Sequence, residues 1–166
     1  SPALTHPLYF GNGVIIGLEP RFADMRADGQ RLRFLSTLRY WSRHKAPTIT
    51  VTYGEIARRA PLTLLAYTNG RRHLGGLSFA PDATPDDGQM ELTLIRAVSA
   101  LTATRLLLRA DKGAPLTHVA VTQESTPELR LESDAPIPLL LDGESLNLPL
   151  RDVQLSTQPG AVRLLL

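Results

Sequence analysis

Two acidic segments hold the residues of this 166-residue chain whose types and spacing are best suited to chemistry. The first is the stretch 69–88, which combines four glycines and two prolines with the carboxylates of Asp82, Asp86 and Asp87. Closely spaced carbonyl and carboxylate oxygens in a rigid loop suit a hard cation. The segment Pro85-Asp86-Asp87-Gly88 equally suits a type I β-turn that holds no ion, and the residues alone favour this turn.

The second acidic segment is Asp142-Gly143-Glu144, which directly follows the apolar run 139–141. Asp-Gly between two apolar runs is a leading signal for a two-residue hairpin turn of type I′. On this interpretation Glu144 is a solvated strand residue. The spacing alone therefore predicts a hairpin here and leaves any chemical role of Glu144 open.

The elements that position these two segments are mostly short strands. Alternating or continuous apolar runs predict strands at residues 8–18, 48–53, 62–68, 90–95, 118–123, 128–132, 137–141, 146–148, 152–155 and 161–166, with a short run at 77–80 inside the first acidic segment. Many short strands separated by regular turn signals are typical of a β-sandwich or barrel.

Two helices interrupt this pattern. In residues 28–44, Leu32, Leu35, Leu38 and Trp41 recur at helical spacing, which predicts an amphipathic helix packed on a sheet. The alternative is a helix that lies on a membrane surface, with Arg39, Arg43 and Lys45 on its solvent-facing side.

The second helix is shorter. Ser99 is expected to cap a helix over residues 100–108, and its face of Leu101, Leu107 and Leu108 is expected to dock on the sheet.

Composition argues against several functional classes. The chain has no cysteine, so neither disulfides nor thiolate chemistry are available, which fits a reducing compartment. Its formal net charge is +2 and its basic residues are scattered, which argues against a nucleic-acid interface. No apolar run is long enough to span a membrane and no leader pattern is present, so a cytoplasmic location is predicted. No zinc site is expected, because no ligand spacing links His6, His44, His73 and His118.

Five short motifs follow one another in a distinctive order. They are Asn69-Gly70, Gly75-Gly76-Leu77, Ala80-Pro81-Asp82-Ala83, Asp86-Asp87-Gly88 and, far downstream, Leu141-Asp142-Gly143-Glu144. In this order the chain resembles the C-terminal half of lipid kinases of the diacylglycerol kinase and sphingosine kinase type, particularly their soluble bacterial members. Leu74 departs from the family pattern at a place where glycine is common, and Pro85 at a place that is usually apolar.

The resemblance implies a fold and a domain organisation. Residues 1–166 are expected to form the C-terminal, lipid-binding domain of a two-domain enzyme, as a mainly β, two-sheet antiparallel β-sandwich with one amphipathic helix and one short helix. The family's Gly-Gly-Asp-Gly-Thr phosphate loop and a Walker-type loop are both absent from this sequence. ATP is therefore expected to bind against an N-terminal nucleotide-binding domain outside this chain, and the isolated chain is expected to be inactive.

The resemblance also implies roles for individual residues. Glu144 corresponds to the glutamate that takes the proton from the lipid hydroxyl, and Asp142 to its partner in the turn. The carboxylate of Asp87 and the backbone carbonyls of Thr84 and Gln89 are expected to hold a structural Mg²⁺, or alternatively Ca²⁺, with water completing the shell.

The function implied is ATP-dependent phosphorylation of a lipid hydroxyl, on a diacylglycerol-like substrate. Contact with a membrane surface and a homodimer both stay open on this hypothesis. The alternative of a different class is a non-catalytic β-sandwich module that binds a lipid or another ligand. A third interpretation is an unrelated β-sandwich in which the motifs are chance turns.

Overall fold

The computed structural model describes residues 7–18, 34–74, 76–146 and 148–159. In chain order, these ranges contain β1 (Gly13–Ile16), α1 (Phe34–Trp41), β2 (Thr48–Tyr53), β3 (Ile56–Thr68), β4 (Met90–Arg96), α2 (Ala100–Asp111), β5 (Val121–Thr126), β6 (Glu128–Glu132), β7 (Leu139–Leu141), β8 (Glu144–Leu146) and β9 (Asp152–Ser156). The mainly β fold with two helices is confirmed.

The strands form two sheets that share β3. The last part of β3 lies in sheet A, whose strand order is β8-β7-β1-β3-β4-β5, and its first part lies in sheet B, with the order β3-β2-β6-β9. All the pairings are antiparallel, and the pairing of β3 with β4 shifts in register between Leu62 and Leu64. A strand that bends at an irregularity can pass from one sheet to the other. The predicted antiparallel two-sheet arrangement is therefore confirmed, and β3 joins the two sheets into one curled sheet.

Sheet A buries both of its faces, and this divides the core in two. Val14 and Ile16 of β1 face sheet B and pack in a cluster with Val51 of β2 and Leu131 of β6. Ile15, on the opposite face of β1, belongs to a second cluster that includes residues of both helices. Because successive strand residues point to opposite faces, β1 is fully buried and reads as a continuous apolar run.

Helix α1 packs on sheet A by a different face from the one that the sequence predicts. The buried residues of the helix are Thr37, Tyr40 and Trp41, whereas Leu35 is 76% exposed, so its assignment to the inward face is wrong. The Tyr40 hydroxyl donates a hydrogen bond of 2.8 Å to the carbonyl of Gly17 next to β1, and this contact sets the rotation of the helix. Residues 28–33 of the predicted helix lie outside the described ranges.

Helix α2 begins where the sequence predicts. The Ser99 hydroxyl accepts the Thr102 amide at 3.2 Å, which confirms the N-cap. The helix runs three residues further than predicted, to Asp111, and buries Leu106 and Leu107. Leu101 is 39% exposed, so its predicted place on the docking face is wrong.

Several strand boundaries differ from the prediction because turns take up some of the apolar residues. Strand β5 begins at Val121 rather than at 118, since the Val121 amide closes a turn onto the His118 carbonyl at 2.9 Å. Strand β8 begins at Glu144 rather than at 146, because the preceding turn has only two residues. The run 77–80 forms one isolated bridge and no strand, and the predicted strand 161–166 lies outside the described ranges.

Neither of the two described helices has the length and apolar character needed to cross a membrane.

Candidate functional site

The Asp142-Gly143-Glu144 segment forms the tip and exit of the β7–β8 hairpin. Leu141 pairs with Glu144, so Asp142 and Gly143 are the two residues of the turn. Their φ angles are +50° and +96°, and positive values at both central positions are what a type I′ turn requires. The predicted hairpin is confirmed, and it places Glu144 at the start of edge strand β8 with its side chain exposed.

Asp142 does more than form the turn. Its carboxylate accepts the backbone amides of Gly11, Asn12 and Gly13, each at 2.8 Å. Its own amide donates to the Gly13 carbonyl at 2.9 Å. Three successive N–H groups that converge on one anion form a backbone nest. The carboxylate of Asp142 therefore fastens the hairpin tip to the segment that leads into β1.

The start of β1 is also packed closely against the end of β3. The Asn69 amide donates to the Asn12 carbonyl at 2.9 Å. A Cβ on Gly13 would lie 2.8 Å from the Tyr67 carbonyl oxygen, so glycine is needed for the two strands to approach this closely. Residues 11–13, the loop that begins at Asn69 and the hairpin tip at Asp142 thus meet at one end of sheet A.

His73 holds the first turn of this loop. Its side chain is 3% exposed, and its Nε2 lies 2.5 Å from the Gly70 carbonyl oxygen. A carbonyl can only accept, so Nε2 carries the hydrogen. Burial lowers the pKa of His73, and it outweighs the Gly70 hydrogen bond and the nearby Asp142 charge, both of which favour the protonated form. His73 is therefore a neutral donor that sequence reasoning gave no role, because nothing in its spacing shows that it is buried.

The acidic loop, which comprises residues 81–89 of the stretch 69–88, has the geometry of a β-turn. The Asp87 amide points to the Thr84 carbonyl at 3.5 Å, and Asp87 Oδ1 accepts the Gln89 amide at 2.8 Å. Gly88 adopts a φ of +76°. These contacts form a turn over residues 84–87, one residue earlier than the predicted turn over 85–88, with Asp87 bonded to the backbone that follows it.

Two further contacts tie the acidic loop to its neighbours. Arg71 Nε donates to the Ala83 carbonyl at 3.1 Å, and the Thr157 hydroxyl donates to the Gly88 carbonyl at 3.1 Å. The first contact connects the acidic loop with the His73 turn, and the second connects it with the segment after β9. The loop is therefore anchored at both ends and its acidic side chains face solvent.

The predicted ligands Thr84, Asp87 and Gln89 fit a hard cation by their chemistry. All three would offer oxygen, and the exposed loop leaves room for water ligands. The Thr84 carbonyl accepts a long contact of 3.5 Å from the Asp87 amide. In the described part of the chain, no three acidic or histidine side chains form a metal cluster. A cation here would thus depend on one carboxylate, two carbonyls and water, and the metal site stays a prediction.

Glu144 and the acidic loop lie at the same end of sheet A but on different strands. The chain of pairs Glu144–Leu141, Val14–Leu141, Gly13–Thr68 and Thr68–Glu91 leads from β8 to the start of β4. Four strand steps of roughly 4.8 Å separate the two strands by about 19 Å along the sheet. The register therefore places Glu144 four strands away from β4, the strand that directly follows the predicted cation ligands.

A small apolar void lies between the helices and sheet A. It is lined by Trp41, Thr63, Leu64, Phe79, Ile95, Ala103, Leu106, Leu107 and Leu116, and its volume is about 10 Å³. This is about the space that one water molecule needs. A long acyl chain would fit here only if the helices moved away from the sheet.

Comparison with known proteins places the chain in a family. Residues 10–166 match the family described as the YegS C-terminal NAD kinase beta sandwich-like domain. A protein of Chromohalobacter salexigens named "Probable lipid kinase YegS-like" is 37% identical over 87 residues, which are 52% of this chain and 28% of that protein. A protein of the same name from Stenotrophomonas maltophilia is 32% identical over 102 residues, which are 60% of this chain and 32% of that protein.

Solved structures agree on the fold. A candidate diacylglycerol kinase from Bacillus anthracis str. Sterne superposes with a TM-score of 0.66 at 19% identity, over 91% of this chain and 50% of that chain. A diacylglycerol kinase from the same strain gives 0.55 at 17% identity, over 92% and 51%. At such identities the similarity concerns the fold alone. The chain spans about half the length of these structures.

Proposed function

This chain belongs to the family of YegS C-terminal, NAD kinase β-sandwich-like domains, and from that premise we propose that it is the lipid-side half of an ATP-dependent lipid kinase. In this proposal a nucleotide-binding domain precedes residues 1–166 in the full-length protein. The observation that carries the proposal is the clamped hairpin, which presents the exposed carboxylate of Glu144 from a fixed turn at the end of sheet A. The relatives named lipid kinases support the choice of reaction.

Glu144 acts as the general base in the proposed reaction. A lipid hydroxyl oxygen forms a bond to the γ-phosphorus of ATP, and the bond from that phosphorus to the oxygen bridging to the β-phosphate breaks. The hydroxyl proton moves to the Glu144 carboxylate, and ADP leaves. A carboxylate on a rigid two-residue hairpin can hold this position without a conformational search. The substrate class is a lipid with a free hydroxyl, such as a diacylglycerol.

The acidic loop has a supporting role in the proposal. A Mg²⁺ or Ca²⁺ ion bound by Asp87 and by the carbonyls of Thr84 and Gln89 would neutralise the loop and fix its shape. In this proposal the contribution of the ion is structural, because it would fix the shape of the loop that leads into β4. The contact between Arg71 and the Ala83 carbonyl already holds the two parts of the stretch 69–88 together.

Contact with a lipid surface is part of the same proposal. Phe34 and Leu35, at the start of α1, are 42% and 76% exposed, and Arg39 and Arg43 are exposed further along. Exposed apolar residues beside basic ones are the composition that binds anionic membranes at their surface. The exposure of Leu35 therefore favours the alternative in which α1 lies on a membrane surface over a helix whose whole apolar face packs on the sheet.

The test is the conversion of lipids by the full-length protein. Purified protein is incubated with ATP, Mg²⁺ and mixed vesicles that contain diacylglycerol, and phosphorylated lipids are measured by mass spectrometry. Glu144→Gln is expected to lower the rate by about 10²- to 10⁴-fold, the usual contribution of a general base. Glu124→Gln, which changes an exposed glutamate at the other edge of sheet A, is the matched control and is expected to retain activity.

Two results would contradict the proposal. If the full-length protein phosphorylates no lipid but binds the vesicles, the domain is a non-catalytic lipid-binding module. If Glu144→Gln works as fast as the wild type, the hairpin is a structural turn and another group takes the proton.

A further inference from the structure

We propose that Asp142 is a positioning residue, whose carboxylate clamps the segment Gly11 to Gly13 against the hairpin and so fixes the place of Glu144. This inference rests on the proposed function for its catalytic consequence. The clamp itself is a structural statement that can be tested without any activity.

The clamp joins parts of the chain that are remote in sequence. Three backbone amides donate to the two carboxylate oxygens, and the partners are separated by 129 to 131 residues. The Asp142 amide adds a fourth bond in the opposite direction, to the Gly13 carbonyl. The tip of the hairpin is thus bonded to the start of β1 by both its side chain and its backbone.

The hairpin needs this fastening because its strands are short. Strands β7 and β8 have three residues each, and β7 pairs with β1 through only three residue pairs. Strand β8 pairs with β7 in the described part of the sheet and has no second strand beside it. Without the carboxylate, the turn and Glu144 behind it are held by few backbone bonds and can pivot.

Asparagine is the substitution that separates the clamp from the turn. Asp142 has a φ of +50°, a conformation that asparagine tolerates about as well as aspartate. An amide group offers one acceptor oxygen where the carboxylate offers two, and it directs N–H donors at the amides of the nest. Asp142→Asn therefore keeps the type I′ turn and breaks at least part of the clamp.

The first arm of the test measures the clamp directly by amide hydrogen exchange in the full-length protein. Asp142→Asn is expected to raise the exchange rates of the Gly11, Asn12 and Gly13 amides about tenfold or more relative to the wild type. The Ala66 amide in β3 is expected to keep its rate. Asp152→Asn, which removes a carboxylate from an exposed ion pair with Arg130 in sheet B, is the matched control and is expected to change none of these four rates.

The second arm measures catalysis per folded molecule, well below the unfolding temperature. Misplacement of a reacting group by about 1 Å can lower the reaction rate by up to about a hundredfold. Asp142→Asn is therefore expected to lower kcat about ten- to a hundredfold. The KM for ATP is expected to stay within about twofold, since the proposal assigns ATP to the other domain. A merely structural role would reduce the folded fraction and leave kcat per folded molecule unchanged.

Each outcome of the exchange and kinetic measurements supports or contradicts one part of the proposal. Unchanged exchange at residues 11–13 overturns the clamp. Faster exchange with an unchanged kcat overturns the positioning role. If the wild-type protein phosphorylates no lipid, the proposed function fails together with the catalytic consequence of the clamp, while the exchange rates still decide whether the clamp exists.

Discussion

Alanine substitutions at Gly11, Gly13 and Gly17 are expected to differ in their effect on stability: none or a slight gain at Gly11, a loss at Gly13 and a larger loss at Gly17. Gly13 begins β1, Gly11 lies two residues before it and Gly17 directly follows the strand. The three glycines differ in what an added Cβ would meet. At Gly11 nothing lies within 4 Å; at Gly13 the Cβ would lie 2.8 Å from the Tyr67 carbonyl oxygen; at Gly17 it would lie 2.2 Å from the Thr63 carbonyl oxygen. Backbone oxygens of a central strand cannot move aside as a flexible side chain can.

The magnitudes follow from these contacts. Gly11→Ala meets neither a clash nor a positive φ, so it is expected to be neutral or to stabilise by up to about 1 kcal/mol through the unfolded chain. Gly13→Ala overpacks the β1–β3 interface and is expected to cost about 1–3 kcal/mol. Gly17 also has a φ of +93°, which adds about 1–2 kcal/mol for an L side chain, so the total for Gly17→Ala is about 2–5 kcal/mol.

The assay is equilibrium unfolding in urea, followed by circular dichroism, with thermal unfolding as a second measurement. For a domain of this size, each kcal/mol corresponds to roughly 2–4 °C in Tm. Gly13→Ala is therefore expected to lower Tm by about 2–12 °C while Gly11→Ala leaves it unchanged or slightly raised. Equal stability of Gly11→Ala and Gly13→Ala would refute the close approach of β1 and β3, and with it the geometry of the site.

Three further predictions concern pH, packing and capping. Burial lowers the pKa of His73 in the folded chain. Below the usual histidine pKa of about 6.5, the unfolded chain therefore binds more protons than the folded chain, and the free energy of unfolding is expected to fall as the pH drops through this value. His73→Gln should lose that part of the urea-midpoint pH dependence, while His118→Gln at an exposed position should retain it. Leu106→Ala enlarges an existing void and is expected to cost about 2–5 kcal/mol in urea unfolding, against less than about 1 kcal/mol for Leu101→Ala, which is 39% exposed. Ser99→Ala removes the cap of α2 and is expected to cost about 0.5–2 kcal/mol in the same assay, and an unchanged midpoint would contradict the capping geometry.

Local patterns predicted the features of this fold that depend on neighbouring residues. The alternation in residues 48–53 predicted β2 with its observed bounds, and Asp142-Gly143 predicted a two-residue turn. Ser99 predicted the start of α2 because a cap bonds to an amide three residues away. In each case the physical cause lies within a few positions of the residue concerned.

The features that the sequence did not reveal depend on partners far along the chain. The inward face of α1 was predicted from spacing, but the bond from Tyr40 to the Gly17 carbonyl turns Leu35 outward. The passage of β3 from sheet B to sheet A depends on which strands pair with each half, and spacing carries no such information. The same holds for Asp142, whose turn was predicted while its bonds to the amides of residues 11–13 were not.

The most direct test of the central proposal is the position of Glu144 relative to bound nucleotide in the full-length protein. A crystal structure with a non-hydrolysable ATP analogue would give the distance from the Glu144 carboxylate to the γ-phosphorus. The proposal predicts on the order of 6 Å, which leaves room for one hydroxyl oxygen in contact with both groups. A carboxylate more than about 10 Å from the γ-phosphorus, on the face of the hairpin turned away from the nucleotide, would contradict the assignment of Glu144 as the base.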